Sequence, residues 1–380
     1  MVAESNSREV ETMGSILDYL QWRGDLPFSR DPFSEVDAVV FSALTYVEFD
    51  SLLTEPMTLR QAGERFLARG EFDRRIRVKA DLELLRLAAQ SERFGACRIT
   101  MYRDIFIPEQ ETQFAAMTFC LDDGTLFVAF RGTDGTIVGW KEDFNMTFQQ
   151  SVPCQRLALD YVRQVCLERP EPLRIGGHSK GGNMAVFAAA RSSPMVQERI
   201  LGVYNNDGPG FTKYMMGDPG YLNMVDRIHT YIPQSSIIGM LLEHEEPYTV
   251  IHSKSISVWQ HDLYNWELMG KHLLTMDALT EDSVFLDATI KNWFASMTNQ
   301  ERNQLVDAVY ALVSASGADR PGEILQMKNI KSYIRTISSD EQLRKMLTTE
   351  FAGLIASARK AMTQLESARQ EQKRLEEKNE

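Results

Sequence analysis

Apolar and polar positions alternate along the chain with two different periods, and the change falls near residue 95. Before it, over residues 15–50 and 58–91, apolar side chains recur at the three-and-four spacing of helices. After it come short apolar or alternating segments, which are typical of strands. These segments cover residues 97–107, 113–120, 125–130, 173–176, 200–204, 228–232 and 248–252. The pattern predicts a helical N-terminal region followed by a sheet.

Helix-like stretches separate the later strands, while the turn signal Asp122-Asp123-Gly124 joins two earlier ones into a hairpin. Alternation of strand and helix favours an α/β fold with a mostly parallel sheet covered on both faces. From residue 281 onward the periodicity is helical only. We therefore expect a helical N-terminal region at 1–92, an α/β core at 93–280 and a helical C-terminal extension at 281–380.

The C-terminal extension contains a narrow apolar seam whose side chains are four and three residues apart. Its members are Leu347, Phe351, Leu354, Ala358, Ala361 and Leu365. A seam of this kind packs along one partner element. We expect it to lie on the body of the protein or to mediate self-association with a second copy.

Composition and charge narrow the range of functions. The 380 residues carry a net charge of −12, with 43% hydrophobic and 25% charged residues, as in ordinary globular proteins. The negative charge argues against binding nucleic acid through a basic face. No window of about 20 apolar residues predicts a transmembrane segment, and the polar N-terminus does not resemble a signal peptide. These features predict a cytoplasmic location.

The cysteines give no sign of a metal site or a cofactor. Cys97, Cys120, Cys154 and Cys166 show no Cys-x-x-Cys spacing and no neighbouring pair of histidines. Zinc sites are usually built on such spacings. We therefore expect neither a metal nor a cofactor.

The strongest chemical motif is Gly177-His178-Ser179-Lys180-Gly181. In an α/β-hydrolase fold a Gly-x-Ser-x-Gly motif forms the nucleophile elbow, a sharp turn between a strand and a helix that exposes the serine hydroxyl. The apolar segment 173–176 supplies the strand, and the small residues of 183–190 supply a helix that can pack closely on the sheet. We predict that Ser179 is a nucleophile.

A second motif, Phe130-Arg131-Gly132-Thr133-Asp134, follows an apolar strand upstream of the elbow. A loop at this place donates one amide of the oxyanion hole, and the residue after the nucleophile donates the other. We predict that Thr133 and Lys180 supply these amides. The side chain of Lys180 has two interpretations, a salt bridge with a carboxylate or attraction of an acidic substrate group.

These motifs resemble those of known hydrolases. The segment 128–133, Trp140, Asp143 and the segment 176–182 are similar to the signatures of class 3 (fungal-type) lipases. Segments at 17–26, 35–37, 206–211 and 260–262 resemble a bacterial family of lipase-like α/β hydrolases, most of whose members are uncharacterised. This resemblance extends from about Ser15 to Gly317 and implies an α/β-hydrolase fold and hydrolase activity, without a known substrate.

The general base must follow the serine in this fold, on a loop after the last strands. His261 lies in a polar loop there and resembles the His-Asp neighbourhood of the family, so we predict that it is the base. His252, at the end of a strand, is the alternative, because the strand-like segment 256–258 follows so soon that little loop is left there. His178, beside the serine, is expected to be structural, whereas His244 and His272 are expected to be solvated.

The acid of the triad is harder to place. Class 3 lipases carry it after the strand that ends here near residue 232, and Ser236 occupies the matching position. A serine cannot stabilise an imidazolium as a carboxylate does. We predict that Asp207, after the neighbouring strand, is the acid, with Glu243 and Asp262 as alternatives.

The predicted function is hydrolysis of carboxylic esters, lipid-like or other acyl esters, through an acyl-enzyme on Ser179. The partner is then a small-molecule acyl ester. An acyltransferase that uses the same residues is one alternative. The other is a catalytically weak binding or regulatory module, which the serine at position 236 and the helical extension favour.

Overall fold

The computed structural model describes residues 13–70, 72, 75–133, 137–315 and 327–379. Asp134, Gly317 and the ends of the predicted 1–92 and 281–380 regions lie outside these ranges. Eight strands follow one another across a single sheet in chain order. They are β1 (Met57–Thr58), β2 (Arg98–Ile107), β3 (Thr112–Cys120), β4 (Leu126–Phe130), β5 (Leu173–His178), β6 (Ile200–Asn206), β7 (Ile228–Pro233) and β8 (Tyr248–Ile251).

Strands β1 to β4 pair antiparallel, and β4 to β8 pair parallel. All five residues of β4 are buried, as expected for a strand with a layer packed on each face. A separate small hairpin pairs β9 (Leu268–Met269) with β10 (His272–Leu273). The predicted α/β-hydrolase fold with its mostly parallel sheet is confirmed.

Helices cover both faces of the sheet and form the C-terminal part. They are α1 (Ile16–Arg23), α2 (Glu35–Leu44), α3 (Leu59–Arg69), α4 (Lys79–Gln90), α5 (Glu92–Gly95), α6 (Ile137–Asn145), α7 (Pro153–Glu168), α8 (Lys180–Arg191), α9 (Pro194–Gln197), α10 (Lys213–Met216), α11 (Pro219–Leu222), α12 (Glu281–Ala295), α13 (Asn299–Ala315), α14 (Met327–Ser339) and α15 (Glu341–Asn379). Short 3-10 helices include Ser257–His261 and Leu263–Asn265.

Two apolar clusters hold the layers together. On one face, α1, α2 and α4 share a core with Phe119 and Phe127 of the sheet and with Trp266. On the other face, α7 and α8 pack on apolar side chains that include Phe130 and Ile175. Helix α2 is buried on nearly every side, which explains why its sequence is almost entirely apolar.

The segment 256–258, which looks strand-like in sequence, does not form a strand. Ser257 has a φ of +53°, and the 3-10 helix Ser257–His261 begins there. A left-handed residue breaks an extended run, so the chain turns instead of adding another strand. The turn carries His261 towards the carboxyl edge of the parallel strands.

The apolar seam of α15 lies only in part against the same chain, since its member Phe351 is exposed. Helix α15 packs along α12, and Ala361 of the seam is fully buried. Phe351, Ile355 and Met362 on α15 remain exposed. None of the helices in the described ranges has an apolar stretch long enough to span a bilayer.

Candidate active site

Ser179 lies at a sharp corner between β5 and α8. Its φ of +58° and ψ of −130° are strained for a residue with a side chain, at a cost of about 1–3 kcal/mol. The corner is held by two backbone hydrogen bonds: the Ser179 amide donates to the Asn206 carbonyl, and the Gly182 amide donates to the Ser179 carbonyl, each at 2.9 Å. A Cβ on Gly181 would come within 2.2 Å of the Phe130 carbonyl oxygen, so only glycine fits there. This is the geometry of a nucleophile elbow.

The sheet register brings Asp207 beside the elbow. His178 and Asn206 are paired residues of the parallel strands β5 and β6, so Ser179 and Asp207 are the next residues of adjacent strands. Asp207 also has a positive φ, +53°, and is 1% exposed. Two strained residues therefore stand side by side at the carboxyl edge of the sheet, where ligands bind in open α/β folds.

His261 reaches this edge from the loop after β8. Its Nδ1 donates a hydrogen bond of 2.6 Å to Oδ2 of Asp207, since a carboxylate can only accept. This bond leaves Nε2 as the free ring nitrogen. Ser179 and His261 line the same cavity, which has a volume of about 480 Å³.

Ser236 stands on the other oxygen of the same carboxylate. Its hydroxyl donates a 2.5 Å hydrogen bond to Oδ1 of Asp207, and its oxygen accepts from the Gly239 amide at 3.0 Å. Both carboxylate oxygens of Asp207 are thus hydrogen-bonded in a buried setting, which offsets the cost of burying the charge. The serine in the place of the lipase aspartate is a hydrogen-bond donor to a carboxylate on the neighbouring strand.

The alternative bases and acids have other partners. Nδ1 of His252 bonds to Glu267 at 2.5 Å. Asp262 pairs with Arg77 at 3.2 Å. Glu243 is joined to the rest of the fold through its backbone, in a bridge to Phe211.

His244 corrects one expectation, since its side chain is only 9% exposed. Its two ring nitrogens face the Glu246 carboxylate at 3.0 Å and the Gly239 carbonyl at 2.9 Å. The charged sequence around it suggested solvent, but the fold buries it beside a carboxylate. His272 is exposed as expected, at 63%.

Thr133 lies in the loop that follows β4 and lines the cavity with Ser179. Its hydroxyl donates a 2.5 Å hydrogen bond to Asp143 on α6. Partial burial raises the pKa of Asp143 to about 6, against the favourable charge of Lys180. Asp143 belonged to the sequence motif without an assigned role, and the fold gives it one: it fixes the Thr133 hydroxyl.

The ammonium group of Lys180 is buried against Glu142 and Gln113. It is 1% exposed and lies 3.0 Å from Glu142, with further bonds to the backbone and side-chain oxygens of Gln113 at 3.0 and 2.7 Å. The adjacent carboxylates hold its pKa above the usual range in spite of burial. The salt-bridge interpretation of Lys180 fits this geometry, whereas attraction of an acidic substrate does not. Its backbone amide lies at the first position of α8, beside Ser179.

His178 connects the turn at Ser179 to the N-terminal region and to the loop of His261. Burial lowers its pKa well below the usual value, so the ring is neutral. Nε2 donates to the His261 carbonyl at 2.7 Å, and Nδ1 accepts from the Tyr46 hydroxyl at 2.7 Å. Arg77 stacks on the Tyr46 ring at 4.3 Å while it pairs with Asp262. Tyr46 and Arg77 lie outside the sequence motifs, because only the fold brings them to the loop of His261.

The cavity around Ser179 has mostly apolar walls. Ile238 and Leu241 come from the loop after β7, while Ile290, Trp293 and Phe294 come from α12. The C-terminal helices therefore form one wall of the candidate site. Within the described ranges, no three His, Cys, Asp or Glu side chains converge as metal ligands would.

Comparisons with known proteins agree with this architecture. A family model described as Mbeg1-like matches residues 88–311, more than half of the chain. The lipase-like family predicted from the motifs is confirmed. No curated protein matches the sequence.

Several solved structures are similar in fold. M37 lipase is 13% identical over 55% of this chain and 70% of its own, with a TM-score of 0.38. Lipase II from Rhizopus niveus is 12% identical over 64% and 87%, with a TM-score of 0.36. The Rhizomucor miehei lipase in its propeptide complex is 15% identical over 57% and 67%, with a TM-score of 0.34. These identities and TM-scores are too low to support the fold assignment. The assignment depends instead on the strand order of this chain and on the sharp turn at Ser179.

Proposed function

The chain belongs to the Mbeg1-like family, and with that premise and the site geometry we propose that it is a serine hydrolase that cleaves carboxylic esters through an acyl-enzyme. The observation that carries the proposal is the hydrogen bond from His261 to the buried Asp207. His261 also lines the same cavity as Ser179. A carboxylate, an imidazole and a serine in this order form the template of acyl-transfer catalysis.

In the proposed reaction, Nε2 of His261 takes the proton of the Ser179 hydroxyl as its oxygen attacks the ester carbonyl. Asp207 stabilises the resulting imidazolium and keeps the ring in the correct tautomer. The backbone amides of Thr133 and Lys180 hold the oxyanion, while the Thr133 hydroxyl stays bonded to Asp143. The imidazolium then protonates the alcohol as it leaves, and water attacks the acyl-enzyme in the reverse sequence of proton transfers.

The same residues support acyl transfer when an alcohol or thiol replaces water in the second step. The serine at position 236, where lipases carry the acid, favours an inactive module when only the sequence is considered. In the structure Ser236 donates to a carboxylate that is itself in contact with the histidine, which supports a catalytic site instead. Hydrolysis is therefore the preferred function.

A labelling experiment tests the nucleophile. A fluorophosphonate probe should label native protein, and the Ser179→Ala variant should lose both the labelling and the turnover of p-nitrophenyl butanoate. The matched control is Ser235→Ala, whose hydroxyl bonds to Thr280 and lies outside the cavity wall. Native protein that stays unlabelled would favour the binding-module alternative, and labelling that persists in Ser179→Ala would exclude Ser179 as the nucleophile.

A further inference from the structure

A second cavity of about 340 Å³ lies beside the candidate active site, between α6 and the C-terminal helices α12 and α13. The two cavities have a common wall of five residues. These are Trp140, Phe144, Thr147, Trp293 and Phe294. Both volumes fall within the range of small-molecule sites. The two cavities therefore adjoin along these five side chains.

The far part of the second cavity is lined by apolar side chains of α13, among them Leu305, Val306 and Val309. Trp140, Phe144 and Val309 remain 40–44% exposed, an unusual amount for large apolar side chains grouped in one groove. Such a surface gains most from covering by another apolar group.

The charged groups in this cavity are already paired. Lys141 bonds to Glu111 at 2.7 Å and to Asp307 at 2.8 Å. The guanidinium of Arg302 donates to the backbone carbonyls of Phe294 and Thr147, one from each wall. The two cations of this lining are therefore already hydrogen-bonded, Lys141 to carboxylates and Arg302 to neutral carbonyls. The rest of the lining is largely apolar, which favours an apolar ligand.

We propose that this groove, hereafter the α6–α13 groove, binds the far end of a long acyl chain whose ester carbonyl lies at Ser179. The inference rests on the proposed function and adds its substrate class: esters of long, unbranched acyl groups such as dodecanoyl. Every additional methylene that enters the groove improves binding of the transition state by up to about fourfold. Short acyl groups end inside the first cavity and gain nothing from α13.

Kinetics on a series of p-nitrophenyl esters test the groove. In the native protein, kcat/KM for the dodecanoyl ester should exceed that for the butanoyl ester by more than about 100-fold. Val306→Phe fills the groove and should reduce this ratio by at least about tenfold. The matched control is Gln304→Phe, an exposed position on the same helix outside the cavity wall, where the ratio should stay as in the native protein. Equal rates for all chain lengths, or a ratio that Val306→Phe leaves unchanged, would refute acyl-chain binding in the groove. Neither result would contradict the proposed hydrolase activity.

A binding measurement decides the inference without turnover. The intact Ser179→Ala protein is titrated with dodecanol and butanol, which are neutral, and the dissociation constants are measured by calorimetry. Dodecanol should bind at least about 100-fold more tightly than butanol, and adding Val306→Phe should remove most of that difference. Absence of both effects overturns the groove. If native protein cleaves no ester and stays unlabelled but dodecanol binds in the manner described, the hydrolase proposal fails and the alkyl-binding groove stands.

Discussion

Replacement of Asp207 by asparagine is the sharpest test of the acid, because the side chain keeps its shape and loses only its charge. In the structure the carboxylate is 1% exposed and accepts from His261 at 2.6 Å. When His261 takes the serine proton, an imidazolium forms beside this carboxylate. At an effective dielectric constant of about 20, opposite unit charges about 4 Å apart attract by about 4 kcal/mol. That energy corresponds to about a thousandfold in rate.

A second loss follows from the tautomer. An asparagine amide can donate to Nδ1 of His261, which places the ring proton on Nε2 and prevents that nitrogen from accepting the serine proton. Together the two effects predict that kcat of Asp207→Asn falls about 10³- to 10⁴-fold. KM should change little, since Asp207 is not part of the cavity wall.

The assay is kcat for p-nitrophenyl butanoate at neutral pH, with the folded fraction checked by urea denaturation. Asp262→Asn is the matched control, because Asp262 directly follows His261 in the chain but pairs with Arg77. Its kcat should stay within about tenfold of native, the size expected when a partly exposed pair is removed. If Asp207→Asn retained a tenth of native kcat, or if Asp262→Asn lost as much as Asp207→Asn, the assignment of the acid would be wrong.

Three further results are expected. Ser236→Ala removes a hydrogen bond to the charged Asp207, worth about 1.5 kcal/mol, so kcat should fall about tenfold; an unchanged kcat would contradict the role of the serine. Glu142→Gln leaves the buried Lys180 without its nearest counter-charge and should lower the free energy of unfolding in urea by about 3–5 kcal/mol. Glu142→Leu combined with Lys180→Met should recover most of this loss. An unchanged free energy of unfolding in Glu142→Gln would contradict the importance of the pair. Burial depresses the pKa of the His178 ring below 6.5, so as the pH falls the unfolded chain binds a proton that the folded chain does not. The free energy of unfolding should therefore have its full value above pH 6.5 and decrease below it, by up to about 1.4 kcal/mol per pH unit. His178→Asn should lack this slope, and equal slopes would count against a buried neutral ring.

The local sequence was enough to identify the elbow. Gly177, Ser179 and Gly181 lie within one short motif, and the strand and helix around them are recognisable in the sequence. The clash that excludes a side chain at position 181 involves Phe130, but the need for a small residue is already part of the motif. Chemistry that depends on adjacent residues can be predicted from their order alone.

The parallel strands were also predictable, because each is a short apolar segment and β4, β5 and β6 are each followed by a helix. The segment 256–258 was not, since periodicity alone does not show that Ser257 adopts a left-handed backbone. Three or four residues are too few to distinguish an alternating strand from a turn, and tertiary contacts decide between them.

The sequence by itself thus determined the parallel strands and the turn between β5 and α8 where Ser179 lies, because these depend on residues close together in the chain. Only the tertiary structure decided the partners at long range: the contact of Asp207 with His261, the hydrogen bond from Ser236 and the burial of Lys180 against Glu142. These pairs are separated by 54, 29 and 38 positions. Such contacts arise when strands and helices pack, and the free energy of burying a charge then selects which carboxylate stays paired.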